Sequence, residues 1–124
     1  MRRWLFLSAV LGALGVMLGA FAAHGLAERL SPRMLTVFDT AARYQMLHAL
    51  AMGLAAFAMR GRAAPLANAA AALFGIGIAL FCGSLYLLAL TGATKLGMIT
   101  PLGGFGMIAG WTLLALAALK LEKD

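Results

Sequence analysis

The chain has 124 residues, enough for one domain, of which 64% are hydrophobic and only 11% charged. A soluble domain averages roughly a quarter charged residues, so this few charges cannot cover a water-exposed surface around that much apolar bulk. The net charge is +6 and the pI near 10.5, but the bases flank apolar segments and form no patch with interleaved aromatics. Lipid headgroups and membrane orientation account for them, and nucleic acid is excluded as a partner.

The charges leave four uncharged stretches: Trp4 to Ala27, Tyr44 to Met59, Ala63 to Thr94 and Leu96 to Leu119. A spanning helix needs about 20 mostly apolar residues. Three stretches meet that requirement. The second does so if Arg43 and Arg60 snorkel to the headgroups. The pattern predicts an all-α integral membrane protein, a four-helix bundle with helices at approximately 4–24, 40–60, 65–90 and 100–120.

The first stretch, MRRWLFLSAVLGALGVMLGAFAA, also resembles a signal peptide, with a basic start and an A-x-A-like end at Ala20 to Ala22. It is long enough to span, however, and Gly12, Gly15, Gly19 and Ala23 fall with Ser8 on one narrow arc. That face lets another backbone approach closely in lipid, so it is read as the first helix. Gly25 is expected to close it in the left-handed conformation.

Ser31 and Pro32 read as the N-cap and first position of a new helix. From there to Arg43 the chain is amphipathic, which predicts a short interfacial segment over 31–39, between the first two spans. It either stands apart from the second span or runs into it. Asp39 and Arg43 are spaced i, i+4 at the entrance to that span. They read as a surface ion pair with Arg43 as interface anchor; an anion or headgroup contact is the alternative.

In the second span, Tyr44 and His48 share one side with Ala41, Ala51 and Ala55, and Gln45 sits beside them. A stripe with small residues at its membrane end faces other helices. The ordinary reading of His48 is an interhelical hydrogen bond. The alternative is a working site, because polar groups inside a membrane are costly. His24 lies near the end of the first helix. It either caps helix carbonyls or approaches His48.

The third span starts near Pro65. One of its faces carries Asn68, Ala71, Ala72, Gly75, Ala79, Cys82 and Tyr86. Cys82 is the one cysteine, so there is no disulfide, and a packing role is expected for it. After the loop TGATKLGMI, Thr100 and Pro101 are expected to cap and start the fourth span. Its packing face is Gly103, Gly106, Gly110 and Ala117.

Few groups could carry chemistry. Two histidines with no shared acidic partner predict no metal site, and eight scattered methionines form no copper array. No nucleophile–base pair can be placed, and PLGGFG lacks the lysine and preceding strand of a P-loop. No cofactor is expected.

Orientation follows the lysines and arginines. Arg2, Arg3, Arg60, Arg62, Lys120 and Lys123 share one side of a four-span protein, against Arg29, Arg33, Arg43 and Lys95 on the other. Six against four places both termini in the cytoplasm.

Four blocks, GAFAAHGL (19–26), YQMLHALA (44–51), FCGSLYLLALTG (81–92) and LGMITPLGGFGMIAGW (96–111), together resemble the domain of unknown function 423 family. That family is also filed as an uncharacterised inner-membrane family and as transmembrane protein 256-like. Order and spacing match over nearly the whole chain. Two departures stand out: Ala22 where the family pattern often has glycine, and Cys82 where serine is common. The resemblance implies a small multi-span protein of the inner membrane and makes His24, Tyr44, His48, Ser84, Tyr86, Thr100 and Pro101 motif positions. It implies no reaction, substrate or cofactor.

The candidate polar cluster is therefore His24, Tyr44, His48, Ser84 and Tyr86, and the packing glycines are Gly12, Gly15, Gly19, Gly75, Gly106 and Gly110. The expected function is non-enzymatic: a scaffold or accessory protein, or a binder of lipid or a small ligand. Membrane lipids and a homo-oligomer are its expected partners. The alternative is an oligomeric transporter or channel subunit with a histidine-containing path.

Overall fold

The structure is a computed structural model that describes residues 1–122. Lys123, counted above toward orientation, lies outside the described residues. Five α-helices account for most of the chain, and no strand occurs among the described residues: α1 (Arg2–His24), α2 (Pro32–Phe57), α3 (Ala64–Gly77), α4 (Gly83–Thr91) and α5 (Thr100–Ala118). A π-helical turn, Ile78–Cys82, joins α3 to α4, so the two form one rod. Three helical segments are long and apolar enough to cross a membrane: Arg2–His24, Gly61–Thr91 and Thr94–Ala118.

Of the two expectations for the amphipathic segment 31–39, the structure shows the second: it does not stand apart but is the start of α2, which runs unbroken to Phe57. The cause is local and tertiary together. Ser31 accepts a hydrogen bond from the Met34 N–H at 3.2 Å and Pro32 occupies the first turn, so the helix starts firmly there. No glycine or proline interrupts it before Gly53. Phe38, fully buried, packs with Ala22 and Leu26 of the α1 terminus and Ala89 of α4. The apolar face of 31–39 thus meets protein.

Two helix ends differ from expectation. Gly25 stays right-handed (φ −85°), because Leu26 turns inward to the buried cluster and its N–H reaches Phe21 O at 3.1 Å. The left-handed cap comes later, at Gly92 (φ 71°), which closes α4. Thr100 does not cap α5 from outside. The 3₁₀ turn Thr94–Met98 leads straight into that helix, and the Thr100 hydroxyl turns toward Ser84.

The central element is α2. It packs against α1 on one side and against the α3–π–α4 rod on the other, and α5 packs on α3 and the π turn. The core is alanine-rich: Ala51, Met52, Ala55, Ala70, Ala71 and Phe74 form its largest part. Small side chains bring helix backbones close, and in lipid it is this packing that holds helices together.

Glycines set the closest approaches. Gly15 and Gly19 face α2, where a Cβ on Gly15 would lie 2.6 Å from Met46 Cγ and one on Gly19 3.9 Å from Ala42 Cβ. Gly75 faces Met52, Gly106 faces the backbone of Leu73 and Gly77, and Gly110 lies under the Phe74 ring. Gly103 lies against the Phe81 backbone inside the π turn. Gly12 does not join them. A Cβ there meets nothing within 4 Å.

Candidate functional site: an interhelical polar network

Two side chains of α2 organise the polar interior. Gln45, 4% exposed, donates from Nε2 to the Leu11 carbonyl of α1 at 2.8 Å. Its Oε1 accepts from the Tyr86 hydroxyl of α4 at 2.7 Å. One amide therefore ties three helices together with both of its ends engaged.

His48, 6% exposed, is one turn further along. The Trp111 indole N–H of α5 donates to His48 Nε2 at 3.1 Å. Indole is a donor only, so Nε2 must offer its lone pair and the ring proton sits on Nδ1. Nδ1 lies 2.8 Å from the Tyr44 carbonyl, which accepts that proton. The ring is thus held in one tautomer with both nitrogens engaged. Around it the Tyr44 ring stacks at 5.8 Å, and Phe74 and Trp111 meet it at 5.8 and 6.0 Å between ring centroids.

Glycine makes the α1–α2 hydrogen bonds possible. A helical carbonyl points toward the residue four positions later, whose side chain normally shields it. Gly15 stands four residues after Leu11, so Gln45 reaches the Leu11 oxygen. The same device recurs in reverse. Ser8 Oγ donates to Ala49 O at 2.7 Å, and Gly53 stands four residues after Ala49. A Cβ on Gly53 would lie 2.9 Å from Ser8 Oγ.

Two further ties lie outside this centre. Trp4 Nε1 donates to Asn68 Oδ1 at 2.7 Å, linking α1 to α3. Ser84 Oγ donates to Phe81 O at 2.9 Å and lies 2.6 Å from Thr100 Oγ1, linking α4 to α5. All buried side-chain nitrogens and oxygens among the described residues have a partner.

Of the residues expected to cluster, Tyr44 and His48 are in contact, and Tyr86 reaches their neighbour Gln45. Ser84 belongs to a separate pair with Thr100. His24 is exposed at the end of α1 and takes part in none of these hydrogen bonds or ring contacts. Arg43 and Asp39 are paired, Nε to Oδ2 at 2.8 Å, on the exposed side of α2. Sequence reasoning missed Trp111 as the partner of His48, and it gave Gln45 too small a part. The signal for Gln45 was present: an amide within an apolar stretch must find partners for both ends. For Trp111 there was none, since 63 residues separate it from His48. Cys82 is buried in the π turn as a free thiol. No cluster of three or more metal-ligating side chains occurs among the described residues.

Against known proteins, the family described as protein of unknown function (DUF423) matches residues 18–104. The chain belongs to this family. The UPF0382 membrane protein of Staphylococcus epidermidis (strain ATCC 12228) is 44% identical over 115 residues, covering 90% of this chain and 93% of that protein. The UPF0382 membrane protein YwdK of Bacillus subtilis is 39% identical, covering 97% and 98%. The UPF0382 inner membrane protein YgdD of Escherichia coli is 34% identical, covering 98% and 93%. No solved structure matches the chain. Membership agrees with the three apolar, membrane-length segments: this is a helical membrane protein of a family whose description carries no reaction.

Proposed function

We propose that the chain is a four-span, non-enzymatic protein of the bacterial inner membrane that acts by binding, as a small accessory or scaffold subunit that meets lipid and protein through its helix surfaces. The observation that carries this reading is the full engagement of the polar interior. Gln45, His48 and Ser84 are the buried polar residues, and each is hydrogen-bonded within the bundle. A general base or a proton relay needs a free lone pair or a water-lined path, and the one lone pair of the His48 ring is already engaged by the Trp111 N–H.

The fourth span is α2. Leu47, Leu50, Leu54 and Phe57 are more than half exposed and recur at helical spacing, a face suited to lipid. Gln45 and His48 lower the hydropathy of that helix but point inward. The bias of basic residues supports both termini on the cytoplasmic side. The inner-membrane location is supported by the description of the E. coli relative. Exposed apolar faces on α1 and α5 suit a homo-oligomer or a membrane partner.

Cross-linking in native membranes, followed by purification, tests the binding role. A fixed assembly with itself or with another membrane protein is expected, together with proton-tight liposomes after reconstitution. A pH-driven flux that His48→Gln abolishes would replace this reading with a histidine-lined path.

A further inference from the structure

A crevice of about 520 Å³ opens between the last turn of α1 and the first turns of α2. Its floor is small and apolar, with Ala22, Ala23 and Leu35. Its wall is polar: Thr36, Asp39, Thr40 and Arg43. We propose that this crevice holds the headgroup of a phospholipid bearing a primary amine, with the phosphate on Arg43 and the ammonium on Asp39. The proposal rests on the four-span reading, which places this end of α2 at the bilayer surface.

The order of charges along the helix carries the inference. Running inward from Pro32, Asp39 comes first and Arg43 lies four residues deeper, about 6 Å along the axis. In a phospholipid the phosphate is the deeper group and the amine the outer one. The cation on the wall therefore sits at phosphate depth and the carboxylate at amine depth. A guanidinium has five donors in a fork suited to phosphate. The 2.8 Å contact of Arg43 Nε with Asp39 engages one of them, and Arg43 makes no hydrogen bond elsewhere among the described residues.

The hydroxyls decide which headgroup fits. Thr36 donates to Pro32 O at 3.0 Å and Thr40 to Thr36 O at 2.8 Å, so both protons are engaged within the helix. What the two oxygens and Asp39 offer the crevice is acceptors. An ammonium supplies three N–H donors to them. A choline headgroup supplies none. A glycerol headgroup supplies hydroxyls but no cation to face Asp39 once the phosphate shares Arg43.

The test is native mass spectrometry of the protein released from nanodiscs with equal amounts of phosphatidylethanolamine, phosphatidylglycerol and phosphatidylcholine of the same acyl chains. One phosphatidylethanolamine per chain is expected, retained about fivefold over either competitor, a difference of roughly one hydrogen bond in affinity. Arg43→Gln should release all three lipids. Asp39→Asn should keep a lipid but lose the choice of amine. Ala23→Leu fills the floor without touching a charge, and it should also empty the crevice. Arg33→Gln, a basic residue outside the crevice, should change nothing. Equal retention of the three lipids, or an unchanged preference in Arg43→Gln and Asp39→Asn, overturns the proposal. Displacement by soluble phosphoethanolamine at the same concentration overturns the lipid assignment. None of these results touches the span count, which the labelling described below reads separately.

Discussion

Trp111 of α5 donates its indole proton to His48 of α2 across 3.1 Å, and this is the one hydrogen bond joining those two helices among the described residues. It also sets the histidine tautomer, so the same contact that ties α5 to the centre withholds the ring from proton chemistry. Trp111→Phe keeps the ring packing against Phe74 and removes only the donor. Interhelical hydrogen bonds in membranes average about 0.6 kcal/mol and reach about 1.7. A loss within that range is expected in a denaturing-detergent titration. A double-mutant cycle with His48→Phe should return the coupling. Additive effects of the two changes would mean that the bond contributes nothing.

Gln45 holds more than one partner, and its replacement is expected to cost more. Gln45→Leu leaves the Tyr86 hydroxyl without its acceptor and removes the tie to α1. A loss of about 1–3 kcal/mol follows from stranding a half-buried polar group. Adding Tyr86→Phe removes the stranded hydroxyl, so the double variant should be more stable than Gln45→Leu alone. A double variant that is less stable would show that Tyr86 finds another partner.

The glycines are not equivalent. Gly53→Ala would place a Cβ 2.9 Å from Ser8 Oγ and close the Ala49 carbonyl to it. Gly103→Ala would meet the Phe81 backbone, which cannot yield as a side-chain tip can. Gly12→Ala meets nothing within 4 Å. Monodisperse yield in mild detergent should fall steeply for Gly103→Ala and moderately for Gly53→Ala. Thermal stability of Gly12→Ala should stay within about 0.5 kcal/mol of the parent, as for a surface change. A ranking in which Gly12 is the most sensitive would contradict the α1–α2 packing described here.

Orientation can be read with thiol reagents. Cys82 is fully buried, so Cys82→Ala gives a background in which single cysteines report cleanly. Lys95→Cys should label from outside intact spheroplasts, and Leu121→Cys only after permeabilisation. Arg2→Cys should label with Leu121→Cys; its labelling with Lys95→Cys instead would remove the four-span topology, because an odd number of spans would then separate the two termini.

What the sequence by itself determines is the solvent. Counting charges along the chain measures what lipid tolerates at each point, and that is a local property. It marks the apolar stretches, the caps at Ser31 and Pro32 and the small-residue faces with no knowledge of neighbours. What only the tertiary structure decides is which polar groups meet. Tyr44 and Gln45 are adjacent, yet 100° of helical rotation leaves one at the surface and the other at the junction of three helices. His24 stays outside because Leu26, not the histidine, turns inward after α1. The segment 31–39 is amphipathic on either reading, and only Phe38 seated on Ala22 and Leu26 makes it the start of α2. Trp111 reaches His48 because glycines at 103, 106 and 110 let α5 lie close to the rod. Periodicity predicts that such a face exists, but the partner depends on how the helices cross.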